Sequence, residues 1–144
     1  MSDEKEVNYE KFPAILKKKL EAGVISFPPE TKFTYNSMIA YRAVARNIDD
    51  FSPVSRKDFK SYAEEGRKRT RKQLIDENNA TYYGTSLFLE RGIVENIMKF
   101  PNPNKKIACG SVSQEKGPCL VNEETKHVCW WLFDNVCLDD FKIV

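Results

Sequence analysis

Apolar residues recur along this chain with two periods, and the change between them is clearest from Tyr82 to Phe100. Tyr82 and Tyr83 are aromatic residues of the kind that favour strands, and Leu87 and Phe88 resume the apolar pattern beyond a short corner, Gly84-Thr85-Ser86. Ile93, Ile97 and Phe100 then recur at helical spacing, with Val94 and Met98 beside them. The stretch predicts a strand, a corner and a helix. Gly84 permits a sharp bend or a close backbone approach. Thr85 and Ser86 place two hydroxyls beside it, so flexible backbone, hydroxyls and aromatic rings converge there.

The same pattern divides the rest of the chain. Residues 1–8 are charged and read as a flexible N-terminus ahead of one domain over 9–144. Tyr9–Ala22 predicts a first helix whose apolar face is Phe12, Ile15, Leu16 and Leu20, with Pro13 in its first turn and Gly23 as its stop. Val24–Phe27 reads as an extended connector, and Thr31–Tyr35 as a short alternating segment. Ser37–Arg46 fits either a helix or a strand. Apolar residues on both alternating faces favour a strand buried in a sheet, which puts Arg42 inside that sheet. Ser55 with Asp58 resembles a capping box and predicts a helix from Arg56 to about Glu65, with Phe59 and Tyr62 inward. Ile107–Ser113 predicts a strand, Val121–Lys126 a polar segment, His127–Phe133 a central strand, and Phe141–Val144 an edge segment. Helices come early and strands late. The predicted class is therefore α+β, with a mostly antiparallel or mixed sheet and two to three helices.

Composition narrows the class further. A chain of 144 residues suits one domain. With 23 Lys plus Arg against 21 Asp plus Glu, the net charge of +2 argues against a protein that coats nucleic acid. No apolar run approaches the ~20 residues of a membrane-spanning helix, and the polar N-terminus does not read as a secretory signal. A cytoplasmic location and no membrane partner are the expectation. Cys109, Cys119, Cys129 and Cys137 form no C-x-x-C pair, so they read as free thiols, with no metal expected.

Three groups of residues are candidates for chemistry. A buried Arg42 needs acceptors, either an internal carboxylate or a bound phosphate. His127 is the sole histidine. It reads as a packed core residue, with a Cys129–His127 nucleophilic pair as the alternative. Arg67, Lys68, Arg69, Arg71 and Lys72 form a basic run that reads as a solvated linker, or as a contact for nucleic acid or another anionic partner. Neither a phosphate-binding P-loop, a G-x-S-x-G elbow nor an H-E-x-x-H helix occurs.

Tyr41-Arg42-Ala43, then Tyr83-Gly84-Thr85-Ser86-Leu87-Phe88 with its following helix, then the Trp130-Trp131 strand, resembles the order found in ADP-ribosyltransferase-like folds. The resemblance spans about residues 35–144 and rests on short motifs. It implies a small split sheet that grips NAD or an ADP-ribosylated intermediate. Arg42 would contact phosphate or ribose, Ser86 or Thr85 would supply the hydroxyl, and Tyr83 a stacking ring. The family's late acidic triplet has no counterpart, because Glu115, Glu123 and Glu124 fall in predicted loops.

Two functional expectations follow. The first is a small interaction or regulatory protein, of the kind carried by phages and mobile elements as inhibitors, that binds a protein or nucleic acid through the basic run. The second is an ADP-ribosyltransferase-like protein that binds NAD or a ribose-phosphate ligand at Arg42 and Tyr83, Gly84, Thr85 and Ser86. No cofactor is implied beyond NAD in that second case. Whether the protein is an enzyme stays open.

Overall fold

Ser37–Arg46 forms a strand. In the computed structural model, which describes residues 9–67, 76, 78–99 and 102–144, β1 (Met38–Ala45) lies inside a six-stranded antiparallel sheet. The others are β2 (Thr85–Phe88), β3 (Lys105–Val112), β4 (Cys119–Asn122), β5 (His127–Trp130) and β6 (Lys142–Ile143). Their order across the sheet is β4-β5-β2-β1-β3-β6. With the helices α1 (Ala14–Glu21) and α2 (Arg91–Met98) this is a small α+β domain. No helix among the described residues is long and apolar enough to cross a membrane.

Strand alternation sorts the core into two faces. Ala40, Val44, Leu87, Ala108, Val112, Val128 and Trp130 share one face, which Phe59, Leu138 and Phe141 cover. The other face is covered in two patches. At one, α2 packs Val94 and Met98 on Ile107, Tyr41, Ala43 and Phe88. At the other, Phe12 and the α1 residues Leu16 and Leu20 form a cluster with Phe27, Tyr82, Tyr83, Cys129 and Trp131. Ser86, in register with Cys129, and His127, in register with Phe88, belong to this second face.

β1 and β3 pair along eight residues, from Met38↔Val112 to Ala45↔Lys105. β1 and β2 are in register at Tyr41↔Phe88 alone. The sheet is thus joined firmly on one side of β1 and only at a point on the other.

Several sequence expectations need correction. Arg56–Phe59 is one 3-10 turn, not a helix running to Glu65. The carbonyls that a longer helix would use are spent elsewhere: Asp58 O and Lys60 O accept from Arg42, and Phe59 O accepts from Thr85 Oγ1. The capping box itself holds, with Ser55 N donating to Asp58 Oδ2 at 2.9 Å. Tyr82 and Tyr83 end a 3-10 turn, Ala80–Tyr83, and the strand begins only after Gly84. That turn is capped by Asn79, whose side chain accepts from Thr81 N. The first helix is split: Tyr9–Lys11 is a 3-10 turn, and α1 starts after Pro13. Its buried stripe is Phe12, Leu16 and Leu20, while Ile15 is exposed. In α2 the inward residues are Val94 and Met98, and Ile97 is 61% exposed. The predicted polar segment Val121–Lys126 contains the end of β4, which pairs with β5 in a hairpin.

Candidate functional site

The cleft that collects the candidate residues has a volume of about 760 Å³ and is lined by residues of the Tyr82–Gly84 corner, α2 and β2. Ser86, Phe88 and His127 lie on its sheet side, and Cys129 lies on its floor. Tyr62, Glu65, Arg67 and Tyr82 stand on one wall, and Val94, Ile97 and Lys105 are also part of the lining.

Ser86 and His127 meet across β2 and β5, with Ser86 Oγ 2.7 Å from His127 Nε2. Both side chains are half-buried. The Phe88 ring stands edge-on to the imidazole at 5.1 Å. Burial alone pushes the His127 pKa below its ordinary value, so the ring is neutral at neutral pH. Cys129 shares this face, as its spacing predicted. Its thiol is pushed up by burial, which makes it a poor thiolate.

Arg42 spans the gap where β1 and β2 stop pairing. Nε donates to Asp58 O at 2.9 Å, Nη1 to Ser86 O at 2.8 Å and Nη2 to Lys60 O at 3.3 Å. The guanidinium also sits 5.6 Å from the centre of the Phe59 ring. No carboxylate of the described residues pairs with it at ion-pair distance. Burial lowers its pKa, yet an arginine stays charged. The expected fork for phosphate is therefore largely occupied by backbone, and Arg42 brings to the cleft a positive charge that the nearby Glu65 and Asp58 carboxylates favour without an ion pair.

The remaining sequence candidates divide. Gly84 lines the cleft. Tyr83 is buried in the α1 cluster. Thr85 points into the opposite face, where its hydroxyl donates to Phe59 O. Neither Tyr83 nor Thr85 is among the lining residues, whereas the neighbouring Tyr82 is, and its hydroxyl donates to Arg67 O at 2.6 Å. Of the basic run, Arg67 lines the cleft and lies 4.7 Å over the Tyr62 ring. Lys68, Arg69, Arg71 and Lys72 fall outside the described residues. The late glutamates Glu115, Glu123 and Glu124 do not line the cleft, and the carboxylates that do are Glu65 and Asp76.

Sequence reasoning treated Ser86 and His127 separately and missed their contact. The alternation that put His127 and Cys129 on one face was readable. The register that brings Ser86 beside Cys129 was not. Among the described residues, no group of three or more His, Cys, Asp or Glu side chains is placed to hold a metal ion. All four cysteines are free.

No family model, curated protein or solved structure matches this chain.

Proposed function

We propose that the cleft binds a small anionic ligand of the ribose-phosphate class, with ADP-ribose and NAD as its representatives. The observation that carries this reading is the charge balance at the cleft. Arg42 is half-buried against carbonyls with no ion-paired carboxylate among the described residues, and Lys60, Arg67 and Lys105 join it against Glu65 and Asp76. In a partly desolvated cleft such an excess of positive charge favours an anion. Tyr62, Tyr82 and Phe88 add aromatic surface for a planar base. Ser86 and His127 add hydrogen-bonding groups for sugar oxygens. The ADP-ribose class is also what the resemblance in the sequence implies.

The alternative, an interaction protein that uses the basic run, draws less support. Arg67 is the one member of that run among the described residues, and it faces the cleft, stacked on Tyr62.

Calorimetric titration with ADP-ribose, NAD and ATP tests the proposal. The expected result is binding of at least one, weakened tenfold or more in Lys60→Gln and Arg67→Gln with unchanged melting temperature. Absence of heat from all three up to about millimolar concentration, equivalent to binding weaker than about −4 kcal/mol, would leave the interaction protein as the better reading.

A further inference from the structure

Ser86 is placed to do more than hold a sugar. Its Oγ lies 2.7 Å from a histidine nitrogen, within reach for a nucleophile and its base. Other groups nearby do not offer this arrangement. Thr85 spends its hydroxyl on Phe59 O in the core, and the Thr81 hydroxyl donates to Asn79 Oδ1. The Cys129 thiol is held protonated by burial. His127, neutral and half-buried, keeps a ring nitrogen able to accept a proton. The charge around the pair then selects the reacting centre. Arg42, Lys60, Arg67 and Lys105 line the same cleft, and positive charge there suits the charge that builds on phosphoryl oxygens, which is the main demand of phosphoryl transfer.

We propose that Ser86 is a phosphoryl acceptor with His127 as its general base, so that the cleft hydrolyses a phosphoester or phosphoanhydride bond of its anionic ligand. This rests on the reading of the cleft as an anion site. In the first step Ser86 Oγ bonds to phosphorus, and its proton passes to His127 Nε2. The phosphorus–oxygen bond to the leaving group breaks, and that oxygen keeps the electron pair and takes the proton from His127. In the second step a water attacks phosphorus and gives its proton to His127. The Oγ–phosphorus bond breaks, and Ser86 recovers the proton. The sum consumes one water and leaves the protein unchanged.

A fluorophosphonate probe carries the same electrophilic phosphorus and tests the acceptor directly. The expected result is a single adduct mapped by peptide mass analysis to Ser86 of the wild type. Ser86→Ala should give none, and His127→Gln should react about 100-fold more slowly or worse. The wild-type labelling rate should rise with pH to a plateau through the His127 titration, a profile that a purely structural histidine would not produce. Mapping on the wild type keeps the test decisive even if a variant folds poorly. An unlabelled wild type, an adduct elsewhere, or labelling of folded His127→Gln at the wild-type rate would overturn the proposal. Calorimetry with ADP-ribose separates the two ideas. Heat without a Ser86 adduct removes the acceptor and keeps the ligand reading, whereas an adduct without heat keeps the acceptor and removes that reading.

Discussion

Arg42 and Arg46 stand four residues apart at β1 and its exit, and only Arg46 is paired with carboxylates. Arg46 is buried, with Nη2 2.6 Å from Asp58 Oδ2 and Nη1 3.3 Å from Asp50 Oδ1. It also donates to Ser52 O and Pro53 O, so it pins the 47–58 loop to the sheet. Arg42 donates only to carbonyls and lies against the Phe59 ring. Nearby, the same Asp58 supplies its carboxylate to Arg46 and its backbone oxygen to Arg42.

Removing one side of the buried pair should therefore be costly. Asp58→Ala leaves the Arg46 guanidinium without its closest carboxylate and Ser55 N without its acceptor. The expected loss is about 3–5 kcal/mol, read from urea unfolding. A loss under about 1 kcal/mol would mean that Asp50 and the loop carbonyls suffice.

Arg42→Lys separates a structural clamp from a ligand clamp. A lysine keeps the charge but cannot satisfy three carbonyls lying in different directions. We expect a loss of about 2 kcal/mol or more from carbonyls left without a donor, together with weaker ligand binding. Unchanged melting with weaker binding would instead make Arg42 a ligand contact first.

Trp130 and Trp131 are adjacent and fully buried on opposite sides. Trp130 lies among Phe59 and Phe141, with Nε1 donating to Gly117 O at 3.1 Å. Trp131 lies against Phe27, with Nε1 donating to Ala80 O at 2.9 Å. Truncation of either to Ala should cost about 3–5 kcal/mol. In single-Trp variants, acrylamide should quench the two indoles equally poorly. Strong quenching of either would contradict this packing.

These residues also mark what the sequence made legible. Alternation around Trp130-Trp131 was enough to place one ring on each face. Apolar residues on both faces of Ser37–Arg46 favoured the strand that places Arg42 inside a sheet, although a helix also fitted the segment. The α+β class followed from early helices and late strands. What failed were features decided by distant partners. The Arg56 helix stops because Arg42 and Thr85 take the carbonyls around Phe59, and neither residue is near in sequence. The Tyr82-Tyr83 pair is aromatic enough for a strand, yet the Asn79 cap winds it into a turn. Ser86 and His127 are 41 residues apart. Their contact depends on the β2–β5 register, which no local pattern encodes.

His127 predicts a pH dependence with a definite sign. Its folded pKa lies below the ordinary 6.5, because burial disfavours the imidazolium. Above about 6.5 the ring is neutral in both folded and unfolded chains, and its contribution to stability is fully present. As pH falls through the depressed folded value, the unfolded chain has bound a proton that the folded one resists, and that contribution is lost. The wild-type urea midpoint should fall between about pH 7 and about pH 5. His127→Gln should show a shallower fall over the same range. Parallel slopes in the two proteins would assign the pH dependence to other groups.

Gly84 is required for space rather than for its backbone angles, since its φ of −103° and ψ of 154° are open to any residue. A Cβ at this position would overlap Cys129 Sγ and stand 3.3 Å from Trp131 Nε1. Gly84→Ala should therefore destabilise by about 1–3 kcal/mol through overpacking. Cys129→Ala removes the opposing sulfur at the cost of a small cavity. Combining the two should recover stability relative to the sum of the single changes, with a coupling of about 0.5–3 kcal/mol. The cycle also bears on the cleft, because Gly84 and Cys129 both line it. In the Cys129→Ala background, Gly84→Ala should fold, and its effect on ADP-ribose binding then reports the space at the floor without a folding defect. Strict additivity in the cycle would mean that Gly84 and Cys129 do not touch, and the floor of the cleft would have to be redrawn.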